Sequence, residues 1–143
     1  MRSVKRILCV VLAAGALVTS LPIQSIAADY KYITSISLKV DIDLDSGDEV
    51  NRGDSLGTNS SDSGNRVYTT SNKYRVVEAE WVSDKEISIG DQPKMYVWLE
   101  ITDSDSDTEY KFRSSYSSGS VSVSGGEYVS STRQGGDLRV TIR

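Results

Sequence analysis

Two aromatic residues with polar handles, Tyr96 and Trp98, stand two positions apart in this 143-residue chain. On an extended strand that spacing puts both rings on one face, about 7 Å apart. Flat aromatic pairs on an open sheet suit stacking against sugar rings, because each ring offers an apolar face and a hydrogen-bonding edge. The competing assignment is plain packing under a loop or an edge strand. A second constellation is Arg52-Gly53-Asp54, followed by Ser55. In extracellular ligands this triplet meets integrin-type receptors: the Asp carboxylate completes a metal site on the receptor, and the Arg guanidinium enters an acidic pocket. Three common loop residues also recur by chance. The adhesion reading therefore requires that Asp54→Glu abolish attachment.

Two acidic ladders, Asp41-Asp43-Asp45 and Asp103-Asp105-Asp107, raise the question of calcium. An EF-hand loop needs Gly at position six and Glu at position twelve. Counted from Asp41 those positions hold Ser46 and Arg52, and counted from Asp103 they hold Thr108 and Ser114. Both ladders fail, and no metal site is expected. Glycosidase chemistry needs two carboxyl groups across a groove. Acids are plentiful, but a small sandwich with short loops offers little cleft, so a carboxylate-based hydrolase is the least favoured alternative. The chain has no histidine and one cysteine, Cys9. Ser-His-Asp and Cys-His catalysis are excluded, as are zinc sites of the usual ligand types. No Gly-rich phosphate loop is present, and no cofactor is implied. Asn59-Ser60-Ser61 matches a glycosylation acceptor, read here as coincidence.

The elements that must carry these residues read as strands. From Tyr32 to Leu44 the side chains alternate, with Ile36, Leu38, Val40, Ile42 and Leu44 on one face. Period two marks a half-buried strand; thirteen residues is long for one strand, which predicts a bend or sheet switch within it. Residues 45–66 are rich in Gly, Ser, Asn and Asp and read as a flexible polar loop. Tyr74 to Trp81 is a strand with Val77, Ala79 and Trp81 on its core face. Ile87 and Ile89 form a short strand ending at Gly90-Asp91. Lys94 to Ile101 is the central strand, with Met95, Val97, Leu99 and Ile101 inward and Tyr96, Trp98 and Glu100 outward. Asp103 to Thr108 is a polar turn. Four further strands follow: 110–113, 120–124, 128–131 and 138–142, with turns at Gly125-Gly126 and Gly135-Gly136. Seven or eight short antiparallel strands without a convincing helix predict a single immunoglobulin-like β-sandwich over 29–143. A small barrel is the alternative.

The N-terminus sets the compartment. Arg2, Lys5 and Arg6 precede an apolar run from Ile7 to Val18, and small residues close it at Ser25-Ile26-Ala27-Ala28. That order is a secretory signal peptide, expected as a helix over 1–28 and cut after Ala27 or Ala28. The run is about 12 residues, whereas a spanning helix needs roughly 20; no second run follows, so no transmembrane span is expected after cleavage. Cys9 leaves with the signal, and the fold then stands on packing without disulfides. Removing 28 of 143 residues leaves 115 and takes three of the 16 basic residues, so 13 basic face 20 acidic, a formal charge of −7. An acidic surface repels nucleic acid and anionic membrane. The expected location is secreted, extracellular or cell-surface associated.

The stretch from Gly90 to Leu99, then Tyr110-Lys111-Phe112, then Val121 to Val129, closed by Leu138 to Ile142, resembles a β-sandwich module of secreted cell-surface proteins from Gram-positive gut anaerobes. Such modules often stand ahead of cell-wall-binding repeats. The resemblance spans roughly residues 33–142 and implies a surface-associated, non-catalytic immunoglobulin-like sandwich. No functional residue carries over from it. No wall-binding repeat or sorting signal follows Arg143, so the expectation is a free secreted module or a shortened relative of a longer one. The leading expectation is thus a module that binds or spaces, with cell-wall glycans, host glycans or a surface protein as partners. Its alternatives are a glycan-binding module using Tyr96 and Trp98, and an adhesin using Arg52, Gly53 and Asp54.

Overall fold

The computed structural model describes residues 30–102 and 108–143. The expected signal peptide with Cys9, the second acidic ladder and most of the 103–108 turn lie outside them. Eleven strand segments follow one another: β1 (Tyr30–Ile33), β2 (Ile36–Asp41), β3 (Glu49–Val50), β4 (Arg66–Tyr68), β5 (Tyr74–Trp81), β6 (Lys85–Glu86), β7 (Met95–Ile101), β8 (Glu109–Phe112), β9 (Val121–Ser124), β10 (Tyr128–Gln134) and β11 (Asp137–Ile142). A single 3-10 turn at Ser118–Ser120 is the one helical element among the described residues. The described residues are all-β, in keeping with a β-sandwich.

The largest sheet runs β10-β11-β7-β5 and is antiparallel throughout. Strand β7 sits inside it because its alternation gives it one wholly apolar face: Met95, Val97 and Leu99 are buried. Leu138, Val140 and Ile142 of β11 lie beside them in register and are buried too. The opposing layer is the sheet β4-β2-β9, whose Val67, Ile36, Leu38 and Val121 close the same core. Two two-stranded sheets, β1-β8 and β3-β6, complete the set.

Three expectations are corrected here. Not every pair is antiparallel: β1 runs parallel to β8, and β2 parallel to β9. These partners lie some eighty residues apart, so no hairpin turn fixes their direction. The long 32–44 alternation does break, at Thr34-Ser35, where the chain leaves β8 for β9. Second, Val77 does not share the core face of Ala79 and Trp81. The register with β7 shifts between Val76 and Glu78, leaving Val77 as the extra residue of a bulge. Val76 turns inward at 6% exposed and Val77 outward at 40%. Third, Ile87 is buried but Ile89 is almost fully exposed, because β6 ends at Glu86 and the chain turns through Ser88 and Asp91.

The 45–66 segment also does more than span. It carries β3, and Val50 and Leu56 reach the core. The Leu56 N–H donates to the Ala79 carbonyl at 2.8 Å, and Ser55 bridges Glu80, so this segment extends the large sheet beyond β5. Burying a Leu contributes about 2 kcal/mol, a reason for a polar segment to hold one course.

Candidate functional site

Tyr96 and Trp98 lie where period two puts them, on the outer face of β7, and both are half-buried. Their rings meet edge to face, centroids 5.8 Å apart at 71°. The β11 neighbour of Trp98 is Arg139, whose guanidinium stacks 4.4 Å over the Tyr96 ring. The Trp98 indole N–H donates to the Gln134 side chain at 3.4 Å. Glu78 and Glu80 of β5 flank the pair from the other side. The two residues are thus brought together as expected, but Arg139 stacks on Tyr96 and the Trp98 N–H already has a partner. The sequence signal missed Arg139, because its place beside Tyr96 depends on the β7–β11 register.

Arg52, Gly53 and Asp54 form the outer corner of a turn against the edge of β5, and all three are exposed. The Asp54 N–H donates to the Asn51 carbonyl at 3.1 Å, and Gly53 takes a φ of +83°. That combination is a β-turn with glycine at its third position, where a positive φ is needed. Backbone bonds from Gly53 N–H to Trp81 O and from Trp81 N–H to Asp54 O hold the turn to the strand. The Asp54 carboxylate accepts from the Asn51 amide at 3.2 Å, and the Arg52 N–H donates to the Asp84 carboxylate. The triplet is therefore presented on an ordered corner.

The Asp41 carboxylate pairs with Arg66 at 2.6 Å. Among the described residues, no group of three or more His, Cys, Asp or Glu side chains is placed to hold an ion.

The main cleft lies elsewhere, between the β1-β8 ribbon and the turn joining β10 to β11. It encloses about 780 Å³. Parallel pairing sets Tyr30 beside Glu109 and Tyr32 beside Lys111, and buries Ile33 and Phe112 beneath them. Tyr30 is 53% exposed and Tyr32 55%. The Lys111 ammonium sits 3.7 Å over the Tyr30 ring, which covers one face of that tyrosine. Among the described residues no ring or cation stacks on Tyr32. Glu100, Glu109 and Asp137 also line the cleft. Glu100 pairs with Arg75 at 3.0 Å, and Glu109 lies 4.0 Å from Lys111.

Tyr116 ties the cleft together. Its buried hydroxyl donates to the Ile33 carbonyl at 2.7 Å and accepts the Arg113 N–H at 3.0 Å. Burial raises its pKa above the ordinary value, against the lowering pull of the Arg113 backbone N–H and the Arg113 charge. Sequence reading missed the cleft. Tyr30 and Tyr32 stand two positions apart, but their partners are distant in the chain.

No family model, no curated protein and no solved structure matches the chain. What the fold and site define is a class: among the described residues, an all-β fold with a tyrosine-lined, polar-rimmed cleft. No helix among the described residues is long and apolar enough to cross a membrane.

Proposed function

We propose that this chain is a secreted or cell-surface module of immunoglobulin-like sandwich architecture that binds glycans without catalysing a reaction. The observation that carries the reading is Tyr32: more than half exposed in a cleft of about 780 Å³, beside Tyr30 on the same strand face. An open ring face with a hydroxyl at its edge meets the two needs of sugar recognition, apolar stacking and hydrogen bonding. The signal-like order of the first 28 residues and the acidic mature composition support an extracellular setting. The Tyr96–Trp98 face is the weaker glycan platform, since Arg139 already covers Tyr96. A heteronuclear NMR titration with soluble cell-wall and host glycans tests the reading. Saturable shifts centred on residues 30–32 and 109–113, lost in Tyr32→Ala, are expected. Shifts centred on Tyr96 and Trp98, or none in any panel member, would overturn it. A second reading rests on the exposed turn at Arg52-Gly53-Asp54: adhesion to a receptor with a metal and an acidic pocket, for which Asp54→Glu is the discriminating variant.

A further inference from the structure

The cleft does not end at Tyr32. On its far side Tyr32 also borders a second hollow of about 530 Å³, completed by Arg113, Ser114, Ser115 and Arg133. Among the described residues no carboxylate lines this hollow. Arg133 borders both spaces, and one of its guanidinium nitrogens donates to the Phe112 carbonyl at 3.4 Å. That bond holds the guanidinium across the end of β8, next to Arg113. Arg113 is placed from the other side, its N–H fixed by the Tyr116 hydroxyl. Five other basic residues, Arg66, Arg75, Lys85, Lys111 and Arg143, each have a carboxylate within 4.0 Å. Among the described residues Arg113 and Arg133 are two of eight basic residues without one, and the two of them that line this hollow. Two cations without acidic partners, brought together on an acidic chain, form a local field opposite in sign to the whole.

We infer that this end of the cleft reads an anionic substituent, carboxylate or sulfate, on a sugar whose ring stacks on Tyr32. The inference rests on the glycan reading of the cleft and adds a ligand class to it. Guanidinium groups suit both anions, because their planar forks donate paired hydrogen bonds to two oxygens at once. Ser114 and Ser115 add hydroxyls at the rim. Glu100, Glu109 and Asp137 line the larger cleft but not the second hollow.

Affinity electrophoresis and calorimetry of the purified protein would use three polymers: polygalacturonate as carboxylated, dextran sulfate as sulfated and dextran as neutral. Saturable binding to at least one acidic polymer and much weaker binding to dextran are expected, and the two acidic arms identify which anion is read. Arg113→Gln and Arg133→Gln should each weaken that binding by up to about fivefold, the range for exposed charge pairs, and added salt should weaken it further. Tyr32→Ala separates the two levels of the proposal. If dextran and the acidic polymers bind equally through Tyr32, and the arginine variants change nothing, the anion inference falls while the glycan reading stands. If acidic polymers bind but Tyr32→Ala is indifferent, ring stacking is wrong and both fall. Binding to none of the polymers, with each variant still folded by circular dichroism, overturns the inference.

Discussion

Tyr116→Phe removes one oxygen from the joint of the cleft. The ring stays, so packing volume barely changes. The hydroxyl makes two bonds that are lost together: to the Ile33 carbonyl at 2.7 Å and from the Arg113 N–H at 3.0 Å. A hydrogen bond of this kind contributes about 1 kcal/mol net, and a buried group left without a partner costs about 1–3 kcal/mol. Arg113 is exposed, so water replaces its partner; Ile33 is 5% exposed, so its carbonyl is the more costly loss. The expected destabilisation is therefore about 2–3 kcal/mol, against a total of about 5–15 kcal/mol for an ordinary domain. Urea unfolding read by the buried Trp81 should show a lower midpoint at unchanged slope. Alkali supplies a second readout. Burial raises the Tyr116 pKa above its ordinary 10.0, so the folded state holds that proton more tightly than the unfolded state. The contribution is complete below pH 10.0 and is lost as pH rises through the native value. The gap between parent and variant should close on that alkaline side. A loss under about 0.5 kcal/mol, the scatter of neutral surface changes, would refute the reasoning. So would a gap that stays constant in alkali.

Val76→Ala should cost about 2 kcal/mol, two methyl groups plus a residual cavity, while Val77→Ala should stay within about 0.5 kcal/mol. Equal losses in denaturant titration would mean the bulge lies elsewhere. Gly125→Ala meets two obstacles: a φ of +85° and a Cβ only 2.2 Å from the Val40 carbonyl oxygen. The backbone strain costs about 1–2 kcal/mol and the forced shift about 1–3 kcal/mol more. Gly135→Ala, at φ +62° with nothing within 4 Å, carries the first cost alone; matching melting shifts for the two variants would refute the clash with Val40.

How much of this was legible depended on whether a signal was local. Strand β7 could be read from its own residues, because strict alternation of Met95, Val97 and Leu99 with Tyr96, Trp98 and Glu100 admits one phase. Strand β5 could not. Val76 and Val77 stand in a row, so either phase buries a valine, and the choice rests on where the ladder with β7 slips. Val50 and Leu56 were invisible for a related reason: a single apolar residue in a polar segment has no period, and only contact with Ala79 and its neighbours shows that it is core. The outward pair Tyr96 and Trp98 was legible as a pair, yet the Arg139 guanidinium over Tyr96 comes from a strand forty residues on. The cleft is the extreme case. Tyr30 and Tyr32 mean little until β8 lies parallel beside them, and no local turn dictates that pairing.

That same lack of a local turn bears on the site's rigidity. A hairpin holds its register through its loop, as Gly135-Gly136 does for β10 and β11, with a positive φ at the first loop position. The β1-β8 ribbon has no such clamp, and its outer face puts Tyr30 and Tyr32 into solvent where they contribute little burial. What fixes it is beneath and beside it: Ile33 and Phe112 in the core, Phe112 tilted against Tyr74 at 6.0 Å, and the Tyr116 hydroxyl across the end. The exposed half of the ribbon is thus free to vary for a ligand while the buried half sets its place. Tyr74 reaches further, accepting the Ser37 N–H at 2.7 Å from β2. The two tyrosine hydroxyls therefore pin both sides of the Thr34-Ser35 break. A change at that break should disturb the cleft and the core together, whereas a change at Tyr32 should disturb the cleft alone.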